Sequence, residues 1–307
     1  LSLDADYLLD RRRLKRRLNF WRVLAVLAFV AAILIAVVPG GGRPGGAYVA
    51  RLNVSGIITE NRKLLDAVDR LAKDDSVKAV ILAVDSPGGS VAGGETLRAA
   101  LIRVAAKKPV VAVMGGTAAS AAYMISLPAV RIFARDSTLT GSIGVILETG
   151  EVSGLLGHVG VTAEAITSGP LKDQPSFTRP LTPEGRAYLH GLVDDMYDQF
   201  VTMVADGRHM DKARVKSLAD GRAYTGRQAL ALGLVDQIGG EIEARDWLKS
   251  EKQVSDTLPV RDVRMGSFVE RATGSALGGV VTMLVSALNG GRMPGGAWAI
   301  WQGGNAE

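Results

Sequence analysis

The chain has 307 residues, 47% of them hydrophobic, enough for a sizeable core in one large or two modest domains and too many for a disordered chain. It contains no cysteine, which excludes disulfides, thiolate nucleophiles and cysteine metal sites and fits an oxidising compartment. The net charge of +5 sits almost wholly at one end, where Arg11, Arg12, Arg13, Lys15, Arg16, Arg17 and Arg22 face only Asp4, Asp6 and Asp10; with sparse aromatics not interleaved with basic residues, a nucleic-acid partner is not expected.

Residues 1–22 are this basic segment. Residues 23–38 are uncharged and follow Phe20-Trp21, which reads as a transmembrane anchor with an interfacial aromatic pair. The positive-inside rule places residues 1–22 in the cytoplasm and the rest of the chain beyond the membrane. No clear small-x-small cleavage site follows the apolar run, so a retained single-pass anchor is expected rather than a cleaved signal peptide. Residues 39–47 are a Gly-rich tether, residues 48–252 the folded domain, and residues 253–307 an extension without a clear pattern.

Within the folded domain Tyr48–Val54 alternates like a strand, Leu64–Leu71 looks helical, and Lys78–Val84 is a continuous apolar run suited to a parallel sheet covered on both faces. Asp85-Ser86-Pro87-Gly88-Gly89-Ser90 reads as a turn, then a helix covers about 94–106. Val110–Met114 is a buried strand, Gly115-Gly116-Thr117 a turn, and the Ala-rich segment after it a helix start. Further strands are expected over Val130–Ala134, Ser142–Leu147 and Val161–Ile166. Thr182 as N-cap, Pro183 and Glu184 announce a long helix with Leu189, Leu192, Val193, Met196, Phe200, Met203 and Val204 on one face, read as core or subunit interface. Shorter helices follow near 212–218, 226–231 and 241–249. Alternating strands and helices define an α/β class.

Ser120 falls where a strand hands over to a helix, whose free N–H groups and dipole favour the charge that a serine attack creates. Gly88 and Gly89 can bring backbone N–H groups close to a developing oxyanion. A serine nucleophile needs a proton acceptor, and a desolvated lysine can serve. Thr167-Ser168-Gly169-Pro170-Leu171-Lys172-Asp173 offers one, although a lone lysine is ordinarily a solvated surface group. The sequence has no phosphate-binding Gly-Lys-Ser/Thr loop and no His-Glu-x-x-His, and His158, His190 and His209 are scattered, so neither a cofactor nor a metal is expected.

Ser86-Pro87-Gly88-Gly89-Ser90, Met114 through Ser120, Leu139-Thr140-Gly141-Ser142-Ile143-Gly144, Ser168 through Asp173 and Asp220 through Gly226 resemble, in order and spacing, the blocks of the signal peptide peptidase A family. The resemblance runs from about Tyr48 to Trp247. It implies a fold like that of the Clp protease and crotonase superfamily, built of repeated β-α-β units with peripheral helices, and a Ser-Lys dyad serine peptidase. On this resemblance Ser120 is the nucleophile, Lys172 the general base and Ser142 the residue that orients the lysine; Gly89 and the N–H of Ala121 are the oxyanion donors. It also implies peptide substrates, including cleaved signal peptides, and a ring-shaped homo-oligomer whose serine and lysine come from neighbouring subunits. With the anchor, that places the peptidase domain over 48–252 on the extracytoplasmic side of a bacterial cytoplasmic membrane. The chain departs from the family in having Ala121-Ala122 where many members have two glycines, and Thr167 where many have a lysine, which leaves Lys172 the only lysine of its segment. The rival reading is a catalytically silent membrane scaffold of the same fold.

Overall fold

The computed structural model describes residues 17–26, 29 and 46–263. The chain divides into two compact units, one of residues 1–45 and 266–307 and the other Gly46–Met265. In the first unit residues 17–26 are helical (α1), as is residue 29, and Phe20 and Trp21 meet edge to face at 6.2 Å. No helix among the described residues is long and apolar enough to cross a membrane. Most of the anchor expected over 23–38, the tether up to residue 45 and the apolar run 277–288 lie outside the described residues.

The second unit is built on one eight-stranded sheet. In chain order its elements are β1 (Tyr48–Ile58), α2 (Arg62–Lys73), β2 (Val77–Gly89), α3 (Val91–Ala105), β3 (Val110–Ala119), α4 (Ala121–Ser126), β4 (Arg131–Ala134) and β5 (Leu139–Gly141). Then come α5 (Ser153–His158), α6 (Pro183–Arg208), α7 (Lys212–Leu218), β6 (Ala223–Thr225), α8 (Gly226–Leu232), β7 (Gln237–Ile238), α9 (Glu241–Lys252) and β8 (Val260–Asp262). The sheet runs β6-β5-β3-β2-β1-β8, with β4 on the first half of β3 and β7 beside β4. Every pair is parallel except β5 with β6. The last strand, β8, lies beside β1, with Val49 opposite Val260.

Both faces of the central strands are covered, which explains the uninterrupted apolar run of β2. On one face Leu52, Val54, Leu82, Val84, Ala112 and Met114 pack with α2, α3, α4 and the C-terminal half of α6. On the other, Val49, Ile81, Val111 and Phe133 pack with Ala244 and Leu248 of α9. Helix α2 buries Leu64, Ala67, Val68 and Leu71, an i, i+3, i+4, i+7 set, and starts where Asn61 accepts the Leu64 N–H at 3.1 Å. Burying a leucine or valine of that stripe contributes about 1.5–3 kcal/mol. Helix α6 starts as its sequence announces, with Thr182 accepting the Gly185 N–H at 3.0 Å and Pro183 behind the cap. Of its stripe, Leu189, Phe200 and Val204 are buried, while Leu192 is exposed.

Three sequence expectations need correction. Gly115–Thr117 is not a turn, because β3 runs straight through it to Ala119. Val84 stands opposite Met114 and Ser86 opposite Ala118, so Asp85 alone faces three residues. Its carboxylate fills that bulge: Oδ1 accepts the Thr117 N–H at 3.0 Å, and a Cβ on Gly115 would come within 2.9 Å of Asp85 Cγ. The same extension carries β2 through Asp85–Gly89, read from sequence as a turn. Finally, ladder pairing ends at Gly141, and neither 142–147 nor 161–166 forms a strand, since no neighbouring strand pairs with them. Ile143 is still buried in the core, but Ile146, Val161 and Ile166 face solvent, Ile166 being 98% exposed.

Candidate active site

Ser120 joins β3 to α4 with φ 56° and ψ −122°, the first central position of a type II′ turn, where glycine is the usual occupant. A serine there costs about 1–3 kcal/mol and persists only when its surroundings over-determine it. They do so from several sides. Its N–H donates to Gly141 O at 2.8 Å and its carbonyl accepts the Met124 N–H at 3.0 Å. Gly88, at φ +116°, lies so close that a Cβ on it would stand 2.9 Å from Ser120 Cβ. Across α4, a Cβ on Gly94 would come within 3.1 Å of Ala121 Cβ, so α3 and α4 meet through small residues. The helix itself is buried along its whole length, with Ala121 and Ala122 helical and closely packed.

The end of β2 beside Ser120 is shaped by Ser86, whose buried hydroxyl accepts the Gly88 N–H at 3.1 Å. Gly88, not Gly89, faces Ser120; Gly89 follows it and sits against the Ile58 backbone, where a side chain would collide. As the first residue of α4, Ala121 has an N–H without an intrahelical acceptor. Its nitrogen lies 3.2 Å from where a Gly88 Cβ would be, so Gly88, Ser120 and the Ala121 N–H form one compact corner.

Ser142 directly follows Gly141, whose carbonyl accepts the Ser120 N–H, and is itself at φ 47°. Its N–H donates to Arg222 O at 3.0 Å, so the Asp220–Gly226 block fixes it from outside. Thr140, fully buried, donates from Oγ1 to Ala118 O at 2.8 Å, and Thr138 to Gly115 O at 2.7 Å. These bonds lock β5 to β3 and set Ser142 relative to Ser120.

Lys172 is in a different setting. It is exposed in a turn closed by its own N–H to Gly169 O at 3.1 Å. Its amine makes no hydrogen bond or ion pair among the described residues, so within one chain it is bonded to neither Ser120 nor Ser142. No residue from 144 to 184 is buried, yet this arm exposes Ile146, Leu147, Val152, Leu155, Val159, Val161, Ile166, Leu171 and Phe177. Asp173 pairs with Arg179 beside the lysine, and this partner holds its carboxyl below the usual carboxylate range. Among the described residues no His/Asp/Glu group could hold a metal ion.

The structure therefore assembles Ser120, Ala121, Gly88 and Ser142 in one chain and leaves Lys172 on a solvent-facing arm. Reasoning from sequence weighed Gly88 together with Gly89 but chose Gly89 as the oxyanion donor, and it gave Gly141 and Thr140 no role of their own. Nothing in a sequence distinguishes which of the two glycines meets the serine; the structure places Gly88 there.

A serine held at a strained strand-to-helix turn, next to a free helix N-terminal N–H, is the arrangement of a nucleophile in an α/β hydrolase-type site. The chain belongs to peptidase family S49, whose profile matches residues 102–255, a span that includes Ser120, Ser142 and Lys172. It is accordingly a serine peptidase. It is 42% identical over 200 residues to "Putative protease slr0021" of Synechocystis sp., covering 65% of this chain and 72% of that one. It is 38% identical over 224 residues to "Putative signal peptide peptidase SppA" of Enterococcus faecium, covering 68% of this chain and 64% of that one, just under two thirds. Among solved structures, a mutant of the 1510-N membrane-bound stomatin-specific protease overlaps 72% of this chain and 99% of its own, with TM-score 0.48 and 17% identity.

Proposed function

We propose that the chain is a membrane-anchored serine endopeptidase with a Ser120–Lys172 dyad, degrading residual signal peptides and other apolar peptides beyond the cytoplasmic membrane. The observation that carries this reading is the conformation of Ser120, forced to a positive φ beside Gly88 and the Ala121 N–H. The neutral Lys172 amine takes the proton from Ser120 Oγ as that oxygen attacks the scissile carbonyl. Backbone N–H groups of Ala121 and Gly89 hold the tetrahedral oxyanion, the lysinium protonates the leaving amine, and water activated by the same amine releases the acyl group. Ser142 orients the amine.

A lysine acts as a base only when water is removed from it. The apolar arm that carries Lys172 supports a Clp-like ring in which a second copy covers that arm and receives the lysine beside its own Ser120. The uncharged run 23–38 after seven basic residues supports the anchor.

Ser120→Ala and Lys172→Ala are each expected to lose at least about 10³-fold in peptide cleavage while still assembling, measured with a fluorogenic apolar peptide and analytical ultracentrifugation. Mixing the two inactive variants should restore activity, because some interfaces then join an intact serine to an intact lysine. Full activity of Lys172→Ala removes the base assignment; a mixture that assembles and stays inactive puts the dyad within one chain.

A further inference from the structure

Helix α4 is only six residues long, and one side chain ties it by a polar bond to a distant part of the chain. Tyr123, three residues past Ser120, is fully buried and donates from its hydroxyl to Leu234 O at 2.8 Å. The preceding carbonyl, Gly233 O, accepts from Arg208 Nε at 2.9 Å. The rest of the Arg208 guanidinium forks onto Asp236, with Nη1 to Oδ2 at 3.0 Å and Nη2 to Oδ1 at 2.5 Å. Asp236 Oδ2 also accepts the Ile132 N–H at 2.7 Å, at the start of β4. One connected set of bonds thus runs from α4 through the 233–236 turn to the end of α6 and back to β4.

This set is an odd choice for packing alone. The Arg208 side chain is 10% exposed, and burying an ion pair is often no more stabilising than filling the space with apolar groups. Burial is the largest single effect and works against the Arg208 charge, but the hydrogen bonds to Asp236 and the charges of Tyr123 and Asp236 together outweigh it, so its pKa is raised. What such a network supplies instead is uniqueness. Its bidentate geometry admits one placement of the 233–236 turn, and the Tyr123 hydroxyl transmits that placement to α4. The strain at Ser120 must be resisted at both ends, and on the helix side Tyr123 is the polar restraint.

We infer that Tyr123, backed by the Arg208–Asp236 pair, is a positioning residue for the nucleophile, holding α4 at the rotation that keeps Ser120 Oγ aligned with the Ala121 N–H. This rests on Ser120 as the nucleophile. Neither Tyr123 nor Arg208 touches substrate; both act through the helix.

The test uses the full chain with Tyr123→Phe, Arg208→Lys and the double variant, with Ser120→Ala as control. The readouts are kcat and KM on an apolar fluorogenic peptide, the rate of Ser120 labelling by a fluorophosphonate, and Tm. Each single variant should lower kcat and the labelling rate together by about 10- to 100-fold with KM within about twofold. The double variant should lose no more than the worse single, because both act through one set of bonds. A lower Tm with kcat and labelling unchanged in the folded protein overturns the proposal. Should Tyr123→Phe fail to fold, Arg208→Lys decides alone, and retention of its labelling rate overturns the proposal. Full cleavage and labelling in Ser120→Ala would instead remove the nucleophile assignment, and the proposal with it.

Discussion

Around Ser120 the backbone is gripped on every side: Gly141 on its N–H, Gly88 against its Cβ, a buried helix after it and the Tyr123 hydroxyl pinning that helix. Around Lys172 only a local turn, closed by its N–H to Gly169 O, fixes the backbone, and the lysine rides on an arm of exposed apolar residues that a single chain leaves uncovered. The difference teaches that the two chemical roles need opposite things from the fold. A nucleophile must be pre-aligned, and one chain can do that alone. A neutral lysine must lose its water, and under the proposed dyad a second surface would have to remove it.

The sharpest way to break the packed side is Gly88→Val. Its φ of +116° and the 2.9 Å approach to Ser120 leave no room for a side chain, so kcat/KM should fall by at least about 10²-fold. An active Gly88→Val enzyme would mean that the corner does not hold the reacting atoms.

The open side is broken differently. Ile166→Asp, at a residue 98% exposed, should leave the folded single chain intact, with a Tm change equivalent to less than about 0.5 kcal/mol, since surface substitutions have small effects. It should nonetheless convert the assembly to smaller species in sedimentation and lower activity in step. An unchanged assembly would dissociate the apolar arm from subunit contact.

The smallest effect lies at the far end of the sheet. Asp74 accepts from the Ser76 hydroxyl and N–H and from the Tyr48 hydroxyl, and its pKa is lowered, chiefly by the Ser76 hydroxyl and against the opposing effect of burial. A carboxyl depressed in the folded state stabilises above its unfolded value, about 3.9, and that contribution disappears as pH falls through the folded value. Asp74→Asn should therefore lower Tm by about 2 °C at neutral pH, with the gap closing below about pH 4 and with peptide cleavage unaffected.

Much of this contrast was legible in the sequence. The apolar run of β2, the Thr182 cap and the β3-to-α4 handover at Ser120 all rest on local patterns, and the structure has them. The bulge at Asp85 was not legible, because it depends on which residue of a neighbouring strand is opposite, and no local pattern encodes register. For the same reason, Val161–Ile166 misleads: its β-branched composition fits a strand, but a strand needs a partner, and within one chain none is present. That Leu192 of the α6 stripe is left exposed between buried Leu189 and Phe200 was likewise invisible, since periodicity reports that a face is apolar without reporting what covers it.

The bulge has a bearing on how this scaffold tolerates change in length. Three residues of β3 stand opposite one of β2, so the excess is two, an even number, and Met114 and Ala118 both look into the same core as Val84 and Ser86. Removing or adding a single residue between them would swap the sides of everything downstream and aim Ser120 away from Gly88. A pair added or lost would preserve the parity, which makes Gly115–Thr117 a spacer whose length can vary only in steps of two.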